Sequence, residues 1–383
     1  MSRPVHSRAR QPATAPRRQP FTLTALPCAV ALLVGVAGGV VGTIVSISAR
    51  YDAKTTPAGA AIPTVAQMMG MSDAELAKVD PLVMNLVVAK GIPECADLDI
   101  PKYAATVDEW ARAIKEKNTR DEREGNGAAL LKENRKEWLA GGMALMLAGT
   151  YGIKYTTERL DMLKPEQTYA HGVIDSRMGT CASMPVLYTA IGWRLGWPIK
   201  EVVSQDHCWA RWDDGIAPEK GGERFNLEAT TVGIAGHEGQ FCIDSDEDYA
   251  KELKTPRIAI RSGSDMTSLT RRQTLGVHLQ ARAAYWEAKK DWKSAERDLL
   301  LATGCFPENR NIRIFLFDAM SRNNTERMTR REIESLAALV DNAGLPPDPS
   351  RHPPNRGPGP DVDAINRENA RRLSESLAPP QPR

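Results

Sequence analysis

Cysteine is scarce in this chain of 383 residues, with six in all, at positions 28, 95, 181, 208, 242 and 305. Their spacing is irregular and holds no C-x-x-C pair, which excludes a dense disulfide framework and the common cysteine-rich zinc modules. A single disulfide in an oxidising compartment stays open, but spacing does not choose its partners. A charge excess is also missing: 50 basic and 48 acidic residues leave a net charge of +2. No nucleic-acid partner is therefore expected, because such proteins usually carry a strongly basic footprint.

Charge is wholly absent from FTLTALPCAVALLVGVAGGVVGTIVSIS, Phe21 to Ser48, a run of 28 residues. About 20 apolar residues span a bilayer core, whereas the apolar part of a cleavable signal is about 7–15. The flank SISAR matches a small-x-small cleavage site only loosely. We therefore expect residues 21–48 to form a transmembrane helix. Residues 1–20 hold Arg3, Arg8, Arg10, Arg17 and Arg18 and no acid. This basic arm belongs on the cytoplasmic side by the positive-inside rule, with everything after Arg50 on the other. The Arg17-Arg18 pair fits twin-arginine export poorly. Cys28 lies inside the apolar run, where lipid modification is not expected.

Between its ends the chain changes character several times. Residues 49–64 read as an Ala/Pro/Thr linker, and residues 65–164 as a helical region. SDAELAKVDPLVMNLVVAKG opens with the capping box Ser72 to Glu75. Trp110 and Trp138 read as core. Residues 165–250 combine a helix from Cys181 to Leu195, stopped by Gly196, with strand-like stretches IKEVVSQDHCWARWDDG and ERFNLEATTVG. Helices followed by strands indicate an α+β fold. Residues 270–344 return to helix. LQARAAYWEAKKDWKSAERDLLLATGCFPEN matches one tetratricopeptide-like pair at Ala283, Trp286, Ala295, Leu299, Ala302 and Pro307. A single pair cannot bury its own face, so it must pack on the preceding domain or on a helix at 329–343, which opens with the capping box Thr329 to Glu332. Residues 345–383 form a tail with 10 of the chain's 26 prolines, a composition that reads as disordered.

A cysteine nucleophile needs a favoured thiolate, a base to take its proton, and a group that orients the base. Cys181, in DSRMGTCASMPVLYTAIGWRLGW, sits where a helix N-terminus is expected, with dipole and free N–H groups nearby. Gly179 permits a close approach before it, and Pro185 in the first turn sits where a missing N–H costs least. In VVSQDHCWARW, strand alternation sets His207, Trp209 and Arg211 on one face and Cys208, Ala210 and Trp212 on the other. FNLEAT offers Asn226 and Glu228 on one face of the adjoining strand, and either can accept from the imidazole. His171 can line the cleft or bond to the loop, and His237 reads as a surface residue. A zinc site from Cys181, His207 and Cys208 is disfavoured because Cys208 points away from His207. No metal and no cofactor are expected.

G-T-C-A-S at a helix start, D-H-C-W-A-R-W on a strand and F-N-L-E-A-T on the next together resemble the transglutaminase-like superfamily. In particular they are similar to its bacterial branch of transglutaminase-like domain proteins. The resemblance covers about residues 80–250, inside a domain drawn at 65–250, with its motifs in residues 170–233. It implies a papain-type fold, with Cys181 as nucleophile and His207 as base. The family's third position often reads Asp-Pro-Thr; here Glu228-Ala229-Thr230 stands there, so Glu228 takes the orienting role, with Asn226 as the alternative. Together with the apolar run and the basic arm before it, the expectation is a single-pass protein of the bacterial inner membrane with an extracytoplasmic domain. It would be a peptidase, amidase or transglutaminase acting on a peptide or protein substrate, with the tetratricopeptide-like helices open to a protein partner. The alternative is an inactive fold serving as a binding scaffold at the membrane.

Overall fold

The computed structural model describes residues 61–125, 134–156, 160–205, 207–217, 220–231 and 245–323. The basic arm, the expected span at 21–48, most of the linker, the helix at 329–343, the proline-rich tail, Cys28, His237 and Cys242 lie outside these residues. Among the described residues no helix is long and apolar enough to cross a membrane.

The chain opens with three short helices, Val65–Gly70, Asp73–Leu76 and Pro81–Ala89. Ser72 and Glu75 form the expected capping box, each side chain taking the other's backbone N–H. The run that follows is two helices rather than one. Asp80 caps the second through Leu82 N–H at 2.8 Å, and Pro81 occupies its first turn, where a proline lacks no needed donor. The long helix Ile100–Glu124 buries Tyr103, Val107, Trp110 and Ile114, spaced for one face, and stops at Gly125 with φ of 72°. Trp110 is core, as expected, and stacks on Tyr151 at 4.7 Å. Helix Arg135–Leu145 places Trp138 at the margin of the same core.

The next segment builds the site. Strand β1 (Lys154–Tyr155) pairs in parallel with β2 (Met178–Gly179). Helix Met184–Leu195 follows and ends at Gly196, where φ of 74° suits glycine. Then β3 (Ile199–Val203), β4 (Cys208–Asp213) and β5 (Arg224–Leu227) form an antiparallel sheet in the order β3-β4-β5. Ala210 pairs with Leu227 and Trp212 with Phe225. All four join the core that also holds Leu187 and Ile191 of the helix. The opposite face carries Trp209, which packs with Val202, Tyr249 and Met266. The alternation expected along β4 is therefore present.

Helix Met184–Leu195 is also fixed by charge. Arg194, 2% exposed, donates to both oxygens of Asp80 at 3.0 and 2.6 Å and to Asp108 at 2.5 Å. One guanidinium thus ties three helices together. A second core joins the first helices to Arg271–Ala288, Trp292–Cys305 and Arg310–Asn323. Ala283, Ala295, Leu299 and Ala302 are all fully buried in it. Arg282 holds Asp298 with two bonds of 2.7 and 2.8 Å and reaches Val88 O at 3.0 Å. The C-terminal helical pair therefore packs back on the helices at the start of the described chain. The whole is a mixed helix-and-sheet fold.

Candidate active site

Cys181 sits in a tight turn between β2 and helix Met184–Leu195. The helix was expected to begin at Cys181, but its first residue is Met184. The reason is local competition for backbone groups. Thr180 O accepts from both Ser183 N at 3.3 Å and Met184 N at 3.0 Å. Thr180 Oγ1 accepts from Ala182 N at 3.1 Å, and Ser183 Oγ accepts from Thr180 N at 3.0 Å. Thr180 Oγ1 in turn donates to Gln167 O at 2.7 Å. The free N–H groups expected beside the sulfur are thus taken at 182, 183 and 184, and Pro185 has none. Gly179 is needed for space: a Cβ there would stand 2.3 Å from Met184 Cγ.

The thiol of Cys181 is free and half-buried, and those of Cys95, Cys208 and Cys305 are free as well. Cys181 lies beside His207, which stands one residue before β4, close enough to act on the imidazole. On its other side His207 Nε2 donates to Glu228 Oε2 at 2.8 Å. The imidazole lies roughly parallel to Trp209 at 5.9 Å and to Tyr249 at 6.2 Å, which fixes its plane. Burial works against a charge on His207. The hydrogen bonds and charges of Cys181 and Glu228 outweigh it and raise the imidazole from 6.5 to about 10.

Glu228 is 7% exposed and fully engaged. Its Oε1 accepts from Thr230 N at 2.9 Å and Thr230 Oγ1 at 2.6 Å. Its Oε2 accepts from Tyr249 Oη at 2.6 Å as well as from His207. Burial alone would raise this carboxyl. The donors and the charge of His207 prevail and hold it below its usual range. Asn226 is placed differently. Its Oδ1 accepts from Trp209 Nε1 at 2.9 Å and Arg211 Nε at 2.7 Å, and its Nδ2 donates to Asp246 at 2.8 Å. The two candidates share a strand face, as expected, but it is Glu228 whose carboxylate meets His207. Asn226, the alternative third member, instead anchors a buried network around Arg211.

Other residues weighed from the sequence fall elsewhere. His171 is buried against Cys95, with Nε2 3.9 Å from Sγ. Burial lowers this histidine, the reverse of His207. Cys208 is pushed well above its usual range by burial and then by Cys181, Glu201 and Glu228. Among the described residues no group of three or more His, Cys, Asp or Glu converges as a metal site. A cavity of about 500 Å³ is lined by Ile62, Val65, Val87, Leu98, Pro101 and Arg282, away from the Cys181 turn.

Three contributors were not singled out from the sequence. Thr230 stood in the quoted E-A-T tripeptide, and two hydroxyl or amide donors beside a carboxylate were the available signal. Tyr249 comes from helix Asp246–Glu252, and no spacing tied it to Glu228. Tyr155, on β1, is half-buried beside the core, and its phenol is pushed up to about 12 by burial and by the charges of Cys181 and Glu228.

No curated protein and no solved structure matches the chain. A family model does match, over residues 101–262, and its family is the transglutaminase-like superfamily. That span contains Cys181, His207, Glu228 and Tyr249, together with the helix and sheet that hold them. Residues 101–262 form a transglutaminase-like superfamily domain.

Proposed function

We propose that this domain is a cysteine acyl-transfer enzyme, a peptidase or amidase or a transglutaminase, working through Cys181, His207 and Glu228. The observation that carries this reading is the position of His207, beside Cys181 and hydrogen-bonded to the buried Glu228 carboxylate. A base must be oriented by a third group to serve a thiol nucleophile. Glu228 does that by holding Nε2, which leaves Nδ1 for the sulfur.

In the first half-reaction the Cys181 thiolate, its proton already held by His207, adds to the carbonyl carbon of an amide. The adduct collapses, the C–N bond breaks, and His207 returns the proton to the leaving amine. In the second half a water or an amine attacks the thioester and gives its proton to His207, the C–S bond breaks, and Cys181 leaves as the thiolate. Glu228 stays ionised throughout and balances the imidazolium. The substrate class is a peptide or protein carbonyl. We further propose that residues 21–48 anchor the protein in a bacterial inner membrane with the domain on the extracytoplasmic side, and that the helices from Arg271 onward take a protein partner. The uncharged run of 28 residues and the basic arm before it support the anchor.

The test is alkylation of the purified full-length chain with iodoacetamide across pH, followed at Cys181 by peptide mass, with His207→Ala beside it. We expect rapid labelling at neutral pH that His207→Ala slows. Labelling that stays slow until about pH 8.5, the value of an unperturbed thiol, and that ignores His207→Ala would sink the reading.

A further inference from the structure

An acyl-transfer site needs donors aimed at the oxygen that becomes negative in the tetrahedral adduct. The turn around Cys181 supplies few. The N–H groups of Ala182, Ser183 and Met184 are bonded to Thr180, and Pro185 has no N–H. From that stretch only the N–H of Cys181 itself is left for the adduct, and a single donor falls short of the pair that such sites commonly use.

The strand beside the turn offers another. Tyr155 stands opposite Gly179, two residues before Cys181. The strand is pinned there by Lys154 N to Arg177 O and Thr156 N to Gly179 O, both at 2.8 Å. On its other side β1 packs against the Ala229–Thr231 turn that follows Glu228. Lys154 is exposed, so strand alternation turns Tyr155 inward, where it is half-buried at the margin of the main core. Its phenol therefore lies between the Cys181 turn and the Glu228 end of β5.

We propose that the Tyr155 hydroxyl is the second oxyanion donor of this site, hydrogen-bonding the carbonyl oxygen that becomes an alkoxide when Cys181 adds to an acyl group. This rests on the acyl-transfer reading and adds a catalytic residue to it. No proton is transferred by Tyr155: the bond strengthens as the sulfur–carbon bond forms and the oxygen gains charge, and it relaxes when the carbonyl re-forms. Burial, and then the charges of Cys181 and Glu228, keep the phenol protonated well above neutral pH, so the group acts as a donor and not as a base. A half-buried hydroxyl is worth more in this role than an exposed one, because less water competes for the oxygen.

The experiment separates a donor to the adduct from a prop for the thiol. p-Nitrophenyl acetate acylates a cysteine through a tetrahedral adduct with an oxyanion, forming the S–C bond and releasing p-nitrophenolate. Iodoacetamide alkylates the same sulfur by displacing iodide, with no oxyanion. Both rates are measured on the full-length chain, as wild type, Tyr155→Phe and His207→Ala, with thermal unfolding as a check on folding. The expected result is that Tyr155→Phe slows acylation ~10²- to 10³-fold, the range for losing one oxyanion donor, while its alkylation stays within ~2-fold of wild type. Acylation at the wild-type rate overturns the proposal. So does an equal loss in both reactions, since Tyr155 would then act only by shaping the Cys181 turn. A Tyr155→Phe chain that has lost its cooperative unfolding is replaced by Tyr155→Met, read by the same ratio of acylation to alkylation. Failure of the underlying reading is distinct: there wild type is not acylated and His207→Ala leaves alkylation unchanged.

Discussion

Glu228 Oε2 accepts from His207 Nε2 at 2.8 Å and from Tyr249 Oη at 2.6 Å, while Trp209, stacked on Tyr249 at 4.3 Å, backs both donors. One carboxylate oxygen thus sets the imidazole, and one aromatic stack sets the distance between them. The arrangement is rigid because each member is held by a neighbour from a different element. His207 precedes β4, Glu228 follows β5, and Tyr249 comes from helix Asp246–Glu252.

The first prediction separates Glu228 from Asn226. Glu228→Gln keeps the shape but can present an amide N–H to Nε2, which favours the wrong tautomer. By comparison with other triads its acylation rate should fall roughly 10³–10⁴-fold. Asn226→Ala should cost about 1–3 kcal/mol of stability, because Arg211 and Trp209 lose a buried acceptor. Its pH–rate profile should match wild type. Acylation kinetics and urea unfolding on both variants check this, and a larger rate loss for Asn226→Ala than for Glu228→Gln reverses the assignment.

Much of this site is legible in the sequence because it rests on period-two alternation and short spacings. His207, Trp209 and Arg211 sharing a face of β4, and Asn226 with Glu228 on β5, follow from the pleat alone. The choice between Asn226 and Glu228 does not follow, since both are polar, both are buried and both are in reach of the face. Arg211 decides it, by claiming Asn226 Oδ1 from the position directly opposite on the neighbouring strand. The helix start was misplaced because Thr180 and Ser183 satisfy backbone groups with their side chains, a competition that apolar periodicity does not register. Tyr155 and Tyr249 were out of reach because each meets the site across a long sequence separation and no periodicity links them to it. The split at Asp80-Pro81 is readable, since an Asp before a Pro marks a helix start.

A second prediction concerns pH. His207 is raised in the folded protein, from 6.5 to about 10. Its contribution to stability is therefore full below pH 6.5 and is lost as pH rises through about 10. Glu228 is lowered, so its contribution is full above its usual 4.5 and is lost as pH falls through its depressed value. The stability lost in His207→Ala should be largest between pH 4.5 and 6.5, on the order of a few kcal/mol, and should shrink steadily toward pH 10. Urea unfolding of both proteins at fixed ionic strength measures it. A difference that is constant or grows across that range contradicts the ion pairing.

A third prediction tests how the helix that follows Cys181 is seated. Arg194 satisfies Asp80 and Asp108 in a place where it is 2% exposed. Arg194→Met fills much of the volume but leaves Asp80 buried without its cation, and removing one partner of a buried pair costs about 3–5 kcal/mol. Asp80→Asn with Arg194→Met should recover part of that loss, because the amide needs no counter-charge. The midpoint of urea unfolding reads both, and a double variant no more stable than Arg194→Met argues that Asp80 is not the source of the cost.

The last prediction turns on Gly179. Its φ is not in the left-handed region, so an alanine there meets no backbone strain, and the objection is contact alone. The new Cβ would lie 2.3 Å from Met184 Cγ and 3.1 Å from Val173 Cγ2. Met184 is 1% exposed and opens the helix behind Cys181, so it cannot swing into solvent. Gly179→Ala should therefore cost about 1–3 kcal/mol, the usual range for overpacking. It should also slow acylation by displacing the Cys181 turn. Met184→Ala removes the clashing atoms and alone costs about 2–5 kcal/mol as a cavity. In the pair Gly179→Ala with Met184→Ala the two costs should be less than additive, since the methyl enters the space the methionine vacates. A double-mutant cycle by urea unfolding checks this. Full additivity would mean that glycine is required there for something other than room.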